Sequence, residues 1–222
     1  TFFVFEGIGG KANWIFYKDG FGNAYSVVGS DVAYYPETDG DYNESSNNHV
    51  AALSDVSPNQ QNAIYDIVIN QSTGNTVSAT LSQYGVSKTI ELHTGDNYLD
   101  VTYNFYGDTG YIKSGWTPDL LDLIWSGKSH LQRVWGPYGS YCGQRNSASG
   151  ATAALILGSG GASFNGEFEG TLVKGDEIYG PGIFNVYLYA GYTSDPYDEN
   201  LSHIAELDEL ASGLVDEIGP RL

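Results

Sequence analysis

Short runs of alternating apolar and polar residues, separated by turn signals, limit most strongly what this chain can fold into. The run from Leu99 to Phe105 (LDVTYNF) alternates strictly, as a strand does when one face is buried and the other is wet. Turn residues such as Tyr84-Gly85 follow several of the runs. The spacing predicts an all-β fold, a large antiparallel β-sandwich of two stacked sheets. Strands are expected at 1–6, 13–17, 24–29, 31–35, 64–70, 76–83, 86–93, 98–106, 131–135, 141–144, 152–157, 164–169 and 184–190.

Two helices are expected beside the strands. Thr117 can cap a short internal helix, and Pro118 suits its first position. A C-terminal amphipathic helix is predicted over 201–218, where apolar residues recur at intervals of three and four. Such a helix can pack on its own domain or dock on a neighbouring subunit, and its own domain is favoured. The 222 residues fit one domain, 1–222.

The charge balance excludes two classes of partner. Asp and Glu outnumber Lys and Arg by 27 to 9, which gives a formal net charge of -18. Nucleic acid requires a basic surface, and anionic membranes attract one, so neither is an expected partner. No apolar run approaches the ~20 residues of a membrane span.

Several features predict an exported protein at the cell surface. The chain has no methionine and begins at Thr1, which favours removal of a signal peptide. Asn43, Asn70 and Asn200 begin N-glycosylation sequons, which predicts an extracellular glycoprotein of archaeal type. The one cysteine, Cys142, can be buried or can cross-link two subunits, and burial is favoured.

An acidic loop is the candidate metal site. Asp39, Asp41, Asn43 and Glu44, with Glu37 beside them, gather oxygen ligands of the kind that calcium prefers. The later residues of an EF-hand loop are absent, so a solvated acidic loop is the favoured alternative. No other cofactor is predicted. A weaker acidic cluster is Asp195, Asp198 and Glu199.

Aromatic residues in the segment WGPYGSY are the candidate carbohydrate site. Trp135, Tyr138 and Tyr141 can offer aromatic planes to the apolar faces of sugar rings. Gly and Pro would hold these side chains outside the strands. Packing in the core is the favoured alternative for tryptophans.

The N-terminal residues 1–10 are the candidate assembly element. Phe2, Phe3, Val4 and Phe5 form an apolar strand at a chain end. Such a strand can pair within its own sheet or be donated to the sheet edge of a second copy. Donation would make the protein a homo-oligomer that grows into a filament or layer.

No set of residues makes a convincing active site. Asp119 and Asp122 lie in the first turns of the internal helix, where carboxylates stabilise helices. No HExxH or GxSxG motif occurs. A non-catalytic protein is therefore expected.

Several short runs resemble a known family. Together they are similar to the β-sandwich that follows the catalytic barrel in archaeal glycoside hydrolases of family 57 and in amylopullulanase-like surface proteins. The runs are GGKANWIFY (9–17), DGDYN (39–43), NHVAAL (48–53), KTIEL (88–92), YLDVTY (98–103) and SGWTPDLLD (114–122). The resemblance implies a sandwich, and it carries over no catalytic residue because the family's carboxylates sit on the barrel.

Two functions are therefore expected. The first is a cell-surface structural subunit that self-assembles. The second is a carbohydrate-associated module of an amylopullulanase-like system, with a polysaccharide or a catalytic chain as its partner. A hydrolase complete in this chain is a weaker third.

Overall fold

A computed structural model describes residues 1–28, 52–57, 63–106, 109–115, 131–158, 163–169, 172–179, 182–194 and 203–217. These residues form fifteen strands, a short 3-10 helix (Pro137–Gly139) and one α-helix, α1 (Ala205–Glu217). The strands are β1 (Phe2–Phe5), β2 (Ala12–Lys18), β3 (Ala24–Val28), β4 (Ser54–Ser57), β5 (Asp66–Ser72), β6 (Thr76–Gln83), β7 (Val86–His93), β8 (Tyr98–Phe105), β9 (Thr109–Gly115), β10 (Leu131–Trp135), β11 (Tyr141–Asn146), β12 (Ala151–Leu157), β13 (Ser163–Glu169), β14 (Leu172–Tyr179) and β15 (Gly182–Tyr192).

The strands form three antiparallel sheets. The small sheet has the order β1-β2-β3, and the large sheet has the order β10-β11-β12-β15-β8-β7-β6-β5. A third sheet has the order β13-β14-β9-β4. Within the large sheet, β5 to β8 form a meander, and β15 joins this meander to β12. The expectation of an all-β fold is confirmed.

The main core lies between the small sheet and one face of the large sheet, here called the inner face. Alternate residues of β8 point into it, and Tyr103 and Phe105 are almost fully buried with their rings stacked 5.4 Å apart. From the small sheet, Ala12 and Ile15 of β2 reach the same core. The strict alternation in the sequence therefore records one buried face of a sandwich strand.

A second core lies on the opposite, outer face of the large sheet, where α1 packs. Leu207, Ala211 and Leu214 of α1 are buried against Ile156 of β12 and Tyr187 of β15. The preference for packing on the chain's own fold is thus confirmed for the described part of this helix.

The helix begins later than the expected residue 201, because His203 lies in a β-bridge and Ile204 precedes the first turn. The Tyr141 hydroxyl accepts a hydrogen bond from the Ile204 N–H at 3.3 Å, which holds that residue outside the helix.

Close approach of strands fixes one glycine in the large sheet. A Cβ atom at Gly143 of β11 would lie 2.1 Å from the Ala153 carbonyl oxygen of β12. Only a residue without a side chain fits there.

One expectation about the elements needs correction, and two lie outside the described residues. The sequence predicts two sheets, whereas three are found, because β4 (Ser54–Ser57), β9 (Thr109–Gly115) and β14 (Leu172–Tyr179) form strands that the pattern did not indicate. The last two are polar and rich in glycine or charge, and β4 has four residues, so their alternation is weak. The internal helix at 117 and the strand at 31–35 lie outside the described residues.

Candidate assembly and binding surfaces

The N-terminal strand β1 is docked in its own chain. Phe3 pairs with Ile15 and Val4 with Trp14 across the antiparallel ladder to β2. Phe3 and Phe5 pack against the main core, while Phe2 on the other face is 63% exposed. The predicted assembly residues Phe2–Phe5 therefore complete the small sheet of their own chain, where β1 is an edge strand.

Glycines connect β1 to β2 and bring this connection against the chain just before β5. Gly9 and Gly10 have φ angles of 74° and 53°, a region that favours glycine. The Gly9 N–H donates to the Ala63 carbonyl at 2.7 Å, and the Tyr65 N–H donates to the Gly7 carbonyl at 2.8 Å. These bonds involve backbone groups of Ala63 and Tyr65, immediately before Asp66, where β5 begins.

Among the described strands, β5 is an edge of the large sheet, and all seven of its residues are exposed. Ile67, Val68 and Ile69 are 47%, 58% and 63% exposed. Their exposure follows from the layout of the layers, because β2 contacts β15 and β3 contacts β12, at the other side of the large sheet. The small sheet leaves β5 uncovered.

Other exposed aliphatic residues continue this surface. Ile8 and Ile64 pair with one another in a β-bridge and are 52% and 76% exposed, and Val77 of β6 is 49% exposed. We call Ile8, Ile64, Ile67, Ile69 and Val77 the apolar margin. Between residues 63 and 87 the one charged residue is Asp66. A patch of this kind, on a chain with a charge of -18, is typical of a protein contact.

The two edges of the large sheet differ in their exposed apolar residues. Edge strands of soluble proteins usually carry charges, prolines or bulges that prevent pairing with other chains. The opposite edge strand, β10, carries the exposed Arg133. On β5 a bulge at Asn70 shifts the register between Ile69 and Gln71, and Asp66 is the one charge. By these features the two edges are protected to a similar degree, and β5 differs from the described residues of β10 in its row of exposed aliphatic side chains.

The sequon asparagine Asn70 lies on this same edge strand. It is exposed, and its Nδ2 donates a hydrogen bond to the Thr80 hydroxyl at 2.8 Å. Glycosylation at this position stays a prediction. Asn43 and Asn200, the other two predicted sites, lie outside the described residues.

The three predicted carbohydrate residues do not share a surface. Tyr138 is fully exposed at the tip of the β10–β11 connection, where its φ of 56° is unusual for a residue other than glycine. Trp135 packs partly buried against the main core. Tyr141 is fully buried on the outer face, where its hydroxyl donates to Asp208 Oδ1 at 2.6 Å. Including Tyr141 in a stacking platform was therefore wrong, because its ring supports α1.

The remaining predicted site residues have these positions. Asp39, Asp41, Asn43 and Glu44, and the weaker cluster at 195–199, lie outside the described residues, so calcium binding stays a prediction. Across the described ranges, no three His, Cys, Asp or Glu side chains come together as metal ligands would. Cys142 is buried in the main core, as expected.

A polar area covers the outer face of β6, β7 and β8, beyond α1. Thr80, Thr89 and Thr102 lie directly opposite one another across the three strands, and Thr80 and Thr89 share a hydrogen bond of 3.0 Å. Tyr106, 62% exposed, contacts the Ser87 hydroxyl at 3.0 Å. We call this area the polar face. Hydroxyl groups beside an exposed ring are the chemistry that binds neutral sugars.

Three side chains on this face, a hydroxyl, a histidine and a carboxylate, are connected in the same sequence as in a catalytic triad. His93 Nδ1 lies 3.0 Å from the Thr76 hydroxyl, and His93 Nε2 lies 2.8 Å from Glu91 Oε1. The His93 and Glu91 side chains are 48% and 40% exposed. Solvent therefore screens the group, and catalytic triads depend on a site that excludes water. We interpret the three residues as a cross-strand surface contact.

Comparisons with known proteins bear on the fold. No protein-family model matches the chain, and no curated protein matches it. A mutant of glycoside hydrolase family 81 from Clostridium thermocellum is similar over 94% of this chain, at 12% identity and a TM-score of 0.50. The chain spans only 23% of that protein's length. YidC from Thermotoga maritima is similar over 96% of this chain and 52% of its own, at 13% identity and a TM-score of 0.44, which is too low to support an argument.

The likeness to the family 81 protein supports the β-sandwich fold and does not bear on the resemblance to family 57, which stays a prediction. The one α-helix in the described part of the chain, α1, has 13 residues and is too short to cross a membrane.

Proposed function

We propose that this protein is a non-catalytic extracellular subunit that assembles at the cell surface by contacts through the apolar margin. The observation that carries the proposal is the row of exposed aliphatic side chains on β5, an edge strand with only Asp66 charged. An exposed apolar edge strand pairs readily with another chain.

Covering the margin would contribute favourably to association. Its five side chains, among them Ile64 and Ile69, are 47% to 76% exposed. Complete burial of an Ile or Val contributes about 1.5–3 kcal/mol, so covering these remaining fractions contributes about 1 kcal/mol for each residue. Pairing of the β5 backbone with a strand of the partner would add main-chain hydrogen bonds, which also fix the orientation of the partner strand.

A matched pair of substitutions tests the proposal. Ile69→Lys places a charge in the margin, whereas Ile183→Lys makes the same change at β15, where the side chain is 61% exposed against 63% for Ile69. Negative-stain electron microscopy should show assemblies for the unmodified protein and for Ile183→Lys, and single particles for Ile69→Lys. Equal assembly of all three proteins would refute a role for the margin.

Exchange of β1 between copies is the other form of assembly that the sequence predicts. The strand pairs along one edge only and is followed by glycines, so the same strand of a second copy can take its place with the same contacts. Deletion of residues 1–6 separates the two forms. Assembly that is lost on this deletion but survives Ile69→Lys would assign the contact to β1.

A carbohydrate-associated module is the second candidate. The polar face and the exposed rings of Tyr106 and Tyr138 favour it, and the fold similarity to a glycoside hydrolase family 81 protein is compatible with it. The polar face has hydroxyl groups rather than cations among its central residues, which favours a neutral polysaccharide. Affinity electrophoresis in gels containing neutral glucans tests this candidate. Retardation should be lost in Tyr106→Ala, while unchanged mobility of the parent protein in every glucan would refute it.

A further inference from the structure

We propose that the partner at the apolar margin is a second copy of this chain, whose β5 pairs edge to edge and antiparallel with β5 about a two-fold axis at Ile69. The two large sheets would then form one continuous sheet. The inference rests on the proposed function and names the partner and the geometry of the same surface.

The sequence of β5 is compatible with pairing to itself. With Ile69 on the axis, residues 66–69 of each copy face residues 69–72 of the other, with Ile67 opposite Gln71, and the bulge at Asn70 interrupts the ladder beside the axis. Asp66 lies opposite Ser72, so the carboxylates of the two copies are at opposite ends of the contact. A two-fold contact uses the same surface on both copies, and no like charges face one another across this one.

The distribution of charge also favours a second copy over a basic partner. Each copy carries a formal charge of -18, which opposes association at long range. The 25 residues from 63 to 87 hold one charge, so the contact itself is nearly free of repulsion. This strand has no cluster of carboxylates to which a basic partner could bind. Salt screens charges beyond about 10 Å at 0.1 M, so it should strengthen pairing between copies and weaken binding of a basic partner.

The glycosylation prediction has a consequence for this contact. Asn70 is next to the axis and would lie opposite Val68 of the second copy. A glycan on its exposed side chain would block the approach of a second strand. Protein made in bacteria, without glycans, is therefore the form to use for the test.

Cross-linking on the axis tests the geometry. Residues directly opposite in an antiparallel pair have Cα atoms about 4.5–5.5 Å apart, and disulfides form at about 4.4–6.8 Å. Ile69→Cys should therefore give a covalent dimer on mild oxidation, more than tenfold faster than Ile183→Cys, and faster at 0.5 M than at 0.05 M salt. The native Cys142 is buried and should not react.

The outcomes separate this inference from the proposed function. If the unmodified protein assembles but Ile69→Cys cross-links no faster than Ile183→Cys, the β5 pairing is wrong and assembly stands. If assembly weakens with salt, the second copy is the wrong partner. If the protein stays monomeric and no variant cross-links, both proposals fail.

Discussion

Removing one hydroxyl group tests how α1 is held on the large sheet. In Tyr141→Phe the ring stays in its buried position, but the hydrogen bond to Asp208 Oδ1, 2.6 Å long, is lost. The Ile204 N–H, which is buried and lies 3.3 Å from the same hydroxyl, loses this acceptor. The substitution therefore acts on the contact between β11 and the start of α1 and leaves apolar packing unchanged.

The expected loss follows from the type of bond. A hydrogen bond to a charged group contributes about 1.5–3 kcal/mol, and Asp208, with its side chain 26% exposed, can recover part of this from water. We expect the free energy of unfolding to fall by about 2 kcal/mol. For a domain of this size the melting temperature should fall by about 4–8 °C.

Chemical denaturation followed by circular dichroism measures this loss. Tyr138→Phe is the matched control, because the same atom is removed from a fully exposed side chain, and its stability should be unchanged. A double-mutant cycle with Asp208→Asn should show that the two changes are not additive. If Tyr141→Phe unfolds at the same denaturant concentration as the parent, the hydroxyl does not hold the helix.

Three further predictions concern the cores. Gly143→Ala should destabilise the protein by more than about 2 kcal/mol in thermal unfolding because its Cβ would meet a backbone oxygen at 2.1 Å, whereas Gly74→Ala, with nothing within 4 Å, should be neutral. Lys88 is fully buried and donates to the Leu53 carbonyl at 2.7 Å. Both Lys88→Ala and Lys88→Met lose this bond, but Met keeps most of the buried stem. In chemical denaturation the free energy of unfolding should therefore be about 2 kcal/mol lower for Lys88→Ala than for Lys88→Met. Burial, and then the hydrogen bond to Asp208, raise the pKa of Tyr141, so the folded protein keeps a proton that the unfolded chain loses near pH 10. Stability should therefore fall as pH rises above about 10, and less steeply in Tyr141→Phe; equal slopes in pH-dependent denaturation would contradict this.

Alternation made most of the large sheet predictable from the sequence. The ranges 76–83, 86–93 and 131–135 are strands with the expected bounds. Ala79 and Leu81 of β6 and Val86 of β7 are buried on the inner face, and glycine and asparagine turns lie where the chain reverses. Of the third sheet only β13 was predicted, at 164–169, whereas β9 and β14 escaped prediction because glycines and charges interrupt their alternation.

The carbohydrate residues show why adjacent aromatics are hard to assign. Trp135 of β10 is paired with Cys142 of β11, and both side chains point to the inner face. Tyr141 comes one residue before Cys142, so it points to the outer face, because successive residues of a strand alternate. Which face α1 covers depends on contacts distant in sequence. The sequence alone cannot show that Tyr141 supports a helix.

The apolar margin was missed, although the sequence holds a signal for it. Ile67-Val68-Ile69 is a continuous apolar run in a stretch with one charge, which indicates a strand buried on both faces. In the structure this strand is an edge that the small sheet does not reach. The apolar run on β5 is suited to burial but is exposed, and this mismatch is the reason to infer a partner.

Sedimentation velocity of the unmodified, unglycosylated protein tests the central claim most directly. Assembly through the apolar margin predicts a mass that rises above the 24.0 kDa of one chain as protein concentration increases, and rises further with salt. A mass of 24.0 kDa at every protein and salt concentration would contradict assembly of this chain with itself.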